Sequence, residues 1–156
     1  MMGTASALLT AVCHCGRCTV AIDPSAAPIA TSYCHCTTCR RLTGAPMLAN
    51  VLLPSSAVSL TAADDGPSDT PAWVDQRTSE AVTRRRCASC WSPLLADLGP
   101  KRTVVPAALF SRPHPPSWAM GHHIHYGSRV IDVDDGLPKY VAHYGSAMCA
   151  ADGTPL

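Results

Sequence analysis

The chain has 156 residues, a formal net charge of +1 and only 15% charged residues. This balance predicts neither a nucleic-acid-binding surface nor attachment to an anionic membrane, and no apolar run reaches the roughly 18 residues of a membrane span. Nine cysteines without a recognisable export signal predict a cytoplasmic protein whose thiols stay reduced and bind metal.

Short apolar runs between proline- and glycine-rich turns predict one all-β domain over residues 1–156, with its core at about 12–140 and a C-terminal tail at 141–156. Residues 61–71 predict a surface loop, and residues 147–156 are expected to be frayed. The predicted strands are, in chain order, Cys18–Ile22, Met47–Leu53, Val58–Leu60, Trp73–Arg77, Ala81–Arg86, Arg102–Val105 and His123–Tyr126.

One helical turn interrupts this pattern. It is predicted at Thr37–Leu42, where breakers are absent, and Thr43 with Gly44 forms its stop. Such a turn would direct backbone N–H groups at the sulfur atoms of Cys36 and Cys39 and stabilise their thiolates.

Eight of the nine cysteines lie in short clusters with metal-ligand spacing. A Cys-x-Cys-x-x-Cys pattern occurs at Cys13–Cys18 and again at Cys34–Cys39, and a Cys-x-x-Cys pattern follows at Cys87–Cys90. Thiolates are soft ligands, so tetrahedral sulfur sites indicate zinc or an iron–sulfur centre. We predict zinc.

Seven or eight candidate ligands predict two sites. On a strand, Cys13 and Cys15 would face the same side, and with Cys87 and Cys90 they would complete a closed structural site. Cys18 has the parity of the apolar residues of its own strand, which favours a buried core thiol over a ligand.

Cys34, Cys36 and Cys39 then form a three-thiolate site. Three protein ligands leave one coordination position open, which is typical of catalytic zinc. The alternative is that Cys18 or a histidine closes this site too. His35 either reaches the open position as an acid or base or points away from it.

Three motifs in a fixed order carry a resemblance to a known family. They are Cys13-His-Cys15-Gly16, then Tyr33-Cys34-His-Cys36-Thr-Thr-Cys39-Arg40 with Thr43-Gly44-Ala45-Pro46, and Cys87-x-x-Cys90 with Ser92-Pro93-Leu94. With His123-Ile124 and the segment Asp134–Tyr140, the chain resembles the glutathione-dependent formaldehyde-activating enzyme family, which also includes centromere protein V. The resemblance runs from about Val12 to Tyr140.

The resemblance implies an all-β, tent-like fold with one structural and one catalytic zinc ion. It implies that the four-cysteine set is structural and that Cys34, Cys36 and Cys39 are catalytic, in agreement with the spacing. It also implies a carbon–sulfur lyase acting on an S-(hydroxymethyl)glutathione-type adduct. Several positions depart from the family pattern. Arg86 stands where phenylalanine is usual, and Trp91 where glycine is usual. The tryptophan usual after the His-Ile strand is missing, with Val130-Ile131 in that region, and Leu109-Phe110-Ser111 replaces a Leu-Asp pair.

A glutathione site needs positive charges or N–H groups for two carboxylates. Arg40, beside Arg41, is the predicted cation, and Gly44 would let the backbone approach a ligand closely. Arg84 and Arg86 share one strand face, which predicts an exposed edge.

Other polar residues receive structural interpretations. The resemblance makes His123 part of a structural strand, although His123 and His125 share a face that could bind metal. Asp132, Asp134 and Asp135 are expected in a solvated loop.

Two functions of different classes remain. The first is a zinc-dependent carbon–sulfur lyase or synthase that uses a glutathione–aldehyde adduct. The second is a non-catalytic, zinc-stapled binding module for glutathione or a protein partner, which gains weight because no general acid or base is identifiable. A centromere-associated role is disfavoured because the chain lacks a basic extension.

Overall fold

The structure is a computed structural model that describes residues 8–63 and 70–156. These residues form ten strands and one α-helix, which confirms the all-β class. The elements are β1 Leu9–Val12, β2 Cys18–Ile22, β3 Ala30–Cys34, α1 Thr37–Thr43, β4 Leu48–Pro54, β5 Val58–Ala62, β6 Trp73–Ser79, β7 Val82–Cys87, β8 Pro93–Leu98, β9 Arg102–Pro106 and β10 His122–Ile124.

The strands form two sheets. One has three strands in the order β1-β2-β5, and the other has seven in the order β10-β3-β4-β9-β8-β7-β6. Neighbouring strands are antiparallel except β10, which lies parallel to β3 and pairs His123 with Tyr33. Within the described ranges, no helix is long and apolar enough to cross a membrane.

The apolar core lies between the two sheets. Val20 and Ile22 of β2 are fully buried in the same cluster as Val51 and Leu53 of β4. Side chains alternate between the two faces of a strand, so Asn50 of β4 lies on the opposite face. There it lines a cavity together with residues of α1, the helix that carries Cys39. The seven-stranded sheet therefore has the core on one side and this helix on the other.

Most predicted strands are present with small shifts at their ends. The helix is confirmed and ends at Gly44, whose φ of +72° suits glycine and whose N–H donates to the carbonyl of Arg40. The strands β1, β3 and β8 were not predicted. The surface loop predicted at 61–71 lies largely outside the described residues.

The expectation of a frayed C-terminal end is wrong. Cys149 is 3% exposed, and its N–H donates to the carbonyl of Lys139. The hydroxyl of Tyr126, a fully buried residue, donates to the carbonyl of Ala151 over 2.7 Å. Residues 148–155 also form two isolated β-bridges, so this end is part of the packed structure.

A buried polar network joins β10 to the turn after β3. Nε2 of His35 lies 2.8 Å from Nδ1 of His123, and both rings are fully buried. Nε2 of His123 donates to Asp135, and Nζ of Lys139 donates to the other oxygen of the same carboxylate. A carboxylate only accepts, so Nε2 of His123 carries the hydrogen of this bond.

The predicted solvated loop therefore holds one residue with a structural role. Asp132 and Asp134 are exposed as expected. The side chain of Asp135 is 30% exposed and lies against Lys139, whose side chain is only 5% exposed. Partial burial opposes ionisation, but hydrogen bonds from Lys139 and His123 prevail and lower the pKa of the Asp135 carboxyl.

Replacing Asp135 with asparagine should destabilise the protein. We expect Asp135→Asn to lower the free energy of unfolding by about 3 kcal/mol at pH 7, because it leaves the ammonium of Lys139 buried without a counter-charge. The control Asp132→Asn removes an exposed ion pair with Arg129 and should change it by less than about 1 kcal/mol. Urea unfolding measures both values, and equal effects would contradict the network.

The difference in free energy of unfolding between wild type and Asp135→Asn should depend on pH. The pKa of Asp135 is lowered by folding, so its stabilising effect is complete above the ordinary carboxyl pKa of about 3.9. It is lost as the pH falls below that value and through the folded pKa. Wild type and Asp135→Asn should therefore differ less at a pH of about 3.5 than at pH 7.

Candidate metal centres

Four cysteines from two distant parts of the chain converge on one point. The sulfur atoms of Cys13, Cys15, Cys87 and Cys90 all lie within 4.8 Å of one another. Sγ of Cys15 is 3.6 Å from Sγ of Cys13 and 3.7 Å from Sγ of Cys87. In a tetrahedral site with metal–sulfur bonds of about 2.3 Å, the sulfur–sulfur edge is about 3.8 Å. The cluster thus has the dimensions of a four-thiolate metal site.

Two connections between strands position this cluster. Cys13 and Cys15 lie in the turn between β1 and β2, so the turn brings them together instead of the strand alternation that we expected. Cys87 ends β7, and Cys90 follows in the turn before β8. The hydroxyl of Ser92 links the two turns, because it accepts from the N–H of His14 and lies 3.3 Å from Sγ of Cys90.

Cys18 lies outside both clusters, and its side chain is fully buried in the core, which favours the predicted core thiol. It nevertheless supports the four-cysteine site, because its backbone N–H donates to Sγ of Cys13.

The second cluster contains the ligand atoms of Cys34, Cys36 and Cys39, again within 4.8 Å of one another. Cys34 ends β3, Cys36 is the N-cap of α1, and Cys39 is in the first turn of that helix. Across residues 8–63 and 70–156, no further histidine, cysteine or carboxylate joins this group. All nine cysteines are free, so no disulfide occupies either cluster.

The prediction that the helical turn directs backbone N–H groups at the cysteine sulfurs is confirmed at one sulfur atom. The backbone N–H of Cys39 donates to Sγ of Cys36 over 3.2 Å. Hydrogen bonds from the neighbouring thiols of Cys34 and Cys39, together with this N–H, lower the pKa of Cys36. The same contacts and burial raise the pKa of Cys34. The N–H bond therefore favours the thiolate form of Cys36, and an incoming cation would displace thiol protons from the cluster.

His35 does not point at the three sulfur atoms. Its ring hydrogen-bonds to His123 and packs edge-on against Tyr126. Burial, and then the positive charges nearby, lower the pKa of His35 to about 4, so the ring is neutral at pH 7. Of the two alternatives from the sequence, the structure therefore has the one in which His35 faces away.

The expectation that Arg84 and Arg86 lie on an exposed edge is wrong. Their strand, β7, is paired on both sides, with β6 and with β8. Nη2 of Arg84 donates to Sγ of Cys39 over 3.8 Å. Nη2 of Arg86 donates over 2.9 Å to the carbonyl of Leu42, near the C-terminal end of α1. Both guanidinium groups thus reach from the sheet to the helix.

The two predicted substrate-binding residues lie on α1 and at its end. Nε of Arg40 donates to the carbonyl of His35, while its terminal nitrogens have no hydrogen-bond partner among the described residues. Gly44 is exposed, and an added Cβ would meet nothing within 4 Å. Its positive φ, and not a close contact, therefore explains the glycine. Contact of either residue with a substrate stays a prediction.

Comparison with protein families agrees with the resemblance in the sequence. The sequence profile of the GFA family, described as glutathione-dependent formaldehyde-activating enzyme, matches residues 8–128. The chain belongs to the GFA family.

Comparison of structures supports the fold. A crystal structure of a Rhodobacter sphaeroides protein is similar to this chain with a TM-score of 0.51 and 15% sequence identity. The match covers 70% of this chain and 94% of that one. A search of curated protein sequences gave no match.

The sequence reasoning missed Asn50, Asp135 and Lys139. Asn50 had a signal, because it is the one polar residue in the apolar run from Met47 to Leu53. No local sequence pattern predicted the roles of Asp135 and Lys139, since the network that they form depends on His123, which belongs to another element.

The departure at Trp91 leaves backbone strain beside the four-cysteine cluster. Trp91 has a φ of +61°, and 60% of its surface is exposed. A residue with a Cβ is disfavoured in this left-handed region by roughly 1–2 kcal/mol, whereas glycine adopts it readily.

We expect the free energy of unfolding of Trp91→Gly to exceed that of Trp91→Ala by about 1 kcal/mol, because both variants lose the ring but only glycine relieves this strain. Trp91→Ala is the matched control, since it removes the ring but keeps the Cβ, and it should give no gain. Thermal unfolding of the metal-loaded proteins measures the effect. A glycine variant no more stable than the alanine variant would refute the explanation.

The contact between Arg84 and Cys39 predicts an effect on metal affinity. Arg84→Met removes a donor that stabilises the thiolate, so the three-cysteine site should bind metal about tenfold more weakly. Arg85→Met is the control, because Arg85 forms ion pairs with Asp75 and Asp97 instead. Competition with a chromophoric chelator measures the affinity, and the absorption bands of the cobalt-loaded protein give a second readout. Equal affinities of the two variants would contradict the prediction.

Proposed function

We propose that this protein is a zinc-dependent carbon–sulfur lyase or synthase that acts on a glutathione–aldehyde adduct. The observation that carries the proposal is the three-cysteine cluster, which has no fourth ligand among the described residues. It lies in a chain of the GFA family. A metal ion held by three thiolates has room for one more ligand, and a thiol is a natural one.

Zinc is the metal that we propose for both clusters. The thiolate donor sets suit a soft, tetrahedral ion, and sulfur–sulfur distances of 3.6 and 3.7 Å suit the edges of its coordination shell. Cys13, Cys15, Cys87 and Cys90 would hold a structural zinc ion, and Cys34, Cys36 and Cys39 a catalytic one. The reduced state of all nine cysteines supports a cytoplasmic location.

The reaction that we propose joins a thiol to an aldehyde. A sulfur–carbon bond forms, and the thiol proton ends on the former carbonyl oxygen; the lyase direction reverses both changes. Cys34, Cys36 and Cys39 would hold the zinc ion, which would offer the glutathione sulfur a partner and favour its thiolate form.

The residues of the chain have separate parts in this reaction. Arg84 donates to Cys39 and offsets the negative charge of the thiolates. Arg40 follows Cys39 directly in the sequence, and its terminal nitrogens, which have no partner among the described residues, can bind a substrate carboxylate. The backbone at the exposed Gly44 is a second, predicted substrate contact.

The direct test is NMR exchange spectroscopy on glutathione and formaldehyde with and without the zinc-loaded protein. Wild type should contain two zinc ions per chain and accelerate the exchange. Cys36→Ser should lose one zinc ion and at least tenfold of the acceleration while staying folded, because the structural cluster is intact. Cys149→Ser is the control, since this buried thiol lies outside both clusters, and it should keep two zinc ions and full activity.

A non-catalytic binding module remains the second candidate. The observation that favours it is the orientation of His35, the histidine between Cys34 and Cys36, whose ring is hydrogen-bonded to His123. The same experiments separate the two functions. Two bound zinc ions, glutathione binding and no acceleration would support the module, whereas iron in place of zinc would overturn both proposals.

A further inference from the structure

A small cavity separates α1 from the seven-stranded sheet. Its volume is about 20 Å³, enough for one group the size of a water molecule. The residues that matter here are Cys39 of the helix and, from the sheet, Leu48, Asn50, Arg84, Val104 and Pro106. Cys39 is the one member of the three-cysteine cluster in the cavity wall, so the cavity adjoins the candidate catalytic site.

Asn50 is an unusual residue for this position. Asparagine is disfavoured inside a strand, and Asn50 lies in the middle of β4, between β3 and β9. It is 8% exposed, and its Oδ1 has no hydrogen-bond partner within the described part of the chain. A buried polar atom without a partner costs about 1–3 kcal/mol, so such a group calls for an explanation.

Arg84 supplies the complementary group on the other side of the cavity. A guanidinium has five N–H donors. Arg84 uses Nε for the hydroxyl of Thr78 and Nη2 for Sγ of Cys39, and its other N–H groups have no partner among residues 8–63 and 70–156. Most of the remaining wall is apolar, including Leu48 and Val104.

These features define the chemistry of a ligand. The cavity offers a hydrogen-bond acceptor at Asn50 and donors at Arg84, in a space too small for the two oxygens of a carboxylate. A hydroxyl both donates and accepts, and it is the size of a water molecule. A small hydroxyl group therefore fits better than an anion or an alkyl chain.

We propose that this cavity receives the hydroxyl of the aldehyde-derived carbon in the thiol adduct, and that its size limits the enzyme to the smallest aldehydes. Asn50 accepts the hydroxyl proton in a hydrogen bond, and Arg84 donates to the hydroxyl oxygen. The inference rests on the proposed function and adds the residues that select the aldehyde. In the formaldehyde adduct, the former carbonyl carbon carries the sulfur, the hydroxyl and two hydrogens. A longer aldehyde replaces one of these hydrogens with an alkyl group, which would lie against Val104.

Two variants test the two halves of the proposal. Asn50→Leu keeps the approximate shape but removes the acceptor, so exchange between glutathione and formaldehyde should slow about tenfold, the loss expected of one hydrogen bond. The variant should be as stable as wild type or more so, because the unpaired amide is gone. A merely structural residue would not give this result, in which the rate falls while the stability and the two bound zinc ions are retained.

Val104→Ala enlarges the cavity and should raise the rate with acetaldehyde relative to formaldehyde by several-fold. Leu52→Ala is the matched control. Leu52 pairs with Val104 across the sheet but does not line the cavity. The control should leave the ratio of the two rates unchanged.

Failure of this inference differs from failure of the proposed function. If wild type accelerates exchange but Asn50→Leu and Val104→Ala behave like Leu52→Ala, the cavity holds only a buried water and the inference is wrong. If wild type accelerates nothing, the proposed function fails. The side-chain amide signal of ¹⁵N-labelled Asn50 then still decides the subsite. A shift on adding glutathione with formaldehyde, but not glutathione alone, supports the subsite, and no shift overturns it.

Discussion

The convergence of reduced sulfur atoms on two points is the constraint on which the structure depends. Sγ of Cys15 lies 3.6–3.7 Å from two neighbouring sulfurs, closer than deprotonated thiolates tolerate without a cation between them. The four-cysteine cluster joins the β1–β2 turn to the β7–β8 turn, two segments far apart in the chain. A cation held there would link the strands of both sheets and would couple metal binding to folding.

The second cluster depends on a short helix that the sheet holds in place. With seven residues, α1 is too short to be stable alone in water. Arg86 neutralises carbonyl charge near its C-terminal end, where a cation is favoured, and Arg84 reaches a sulfur in its first turn. The position of Cys39 is thus determined by β7 as well as by its own helix. Arg84 and Arg86 therefore have a structural role in the interior strand β7, where Arg85 between them pairs with Asp75 and Asp97 instead.

Sequence alone predicted the features that local spacing controls. The cysteine clusters, the Thr37 helix with its Gly44 stop, and the alternating strand β2 all follow from short-range pattern. β3 was missed because Ala30–Cys34 mixes small, polar and aromatic residues without alternation. β8 begins at a proline and was not recognised, and without β8 as a neighbour β7 resembled an edge, so the arginines were misplaced. The role of Asp135 could not be predicted from sequence, because its partner His123 meets it only in the folded chain.

The parallel pairing of β10 with β3 has a consequence for synthesis on the ribosome. Tyr33 acquires its neighbour His123 only when most of the polypeptide has emerged. Until then the strand that ends at Cys34 has a free edge on that side, and such edges recruit other unfinished chains. Contacts so distant in sequence also form slowly. The strand that delivers Cys34 to its cluster therefore stays open to pairing with other chains until β10 has been made.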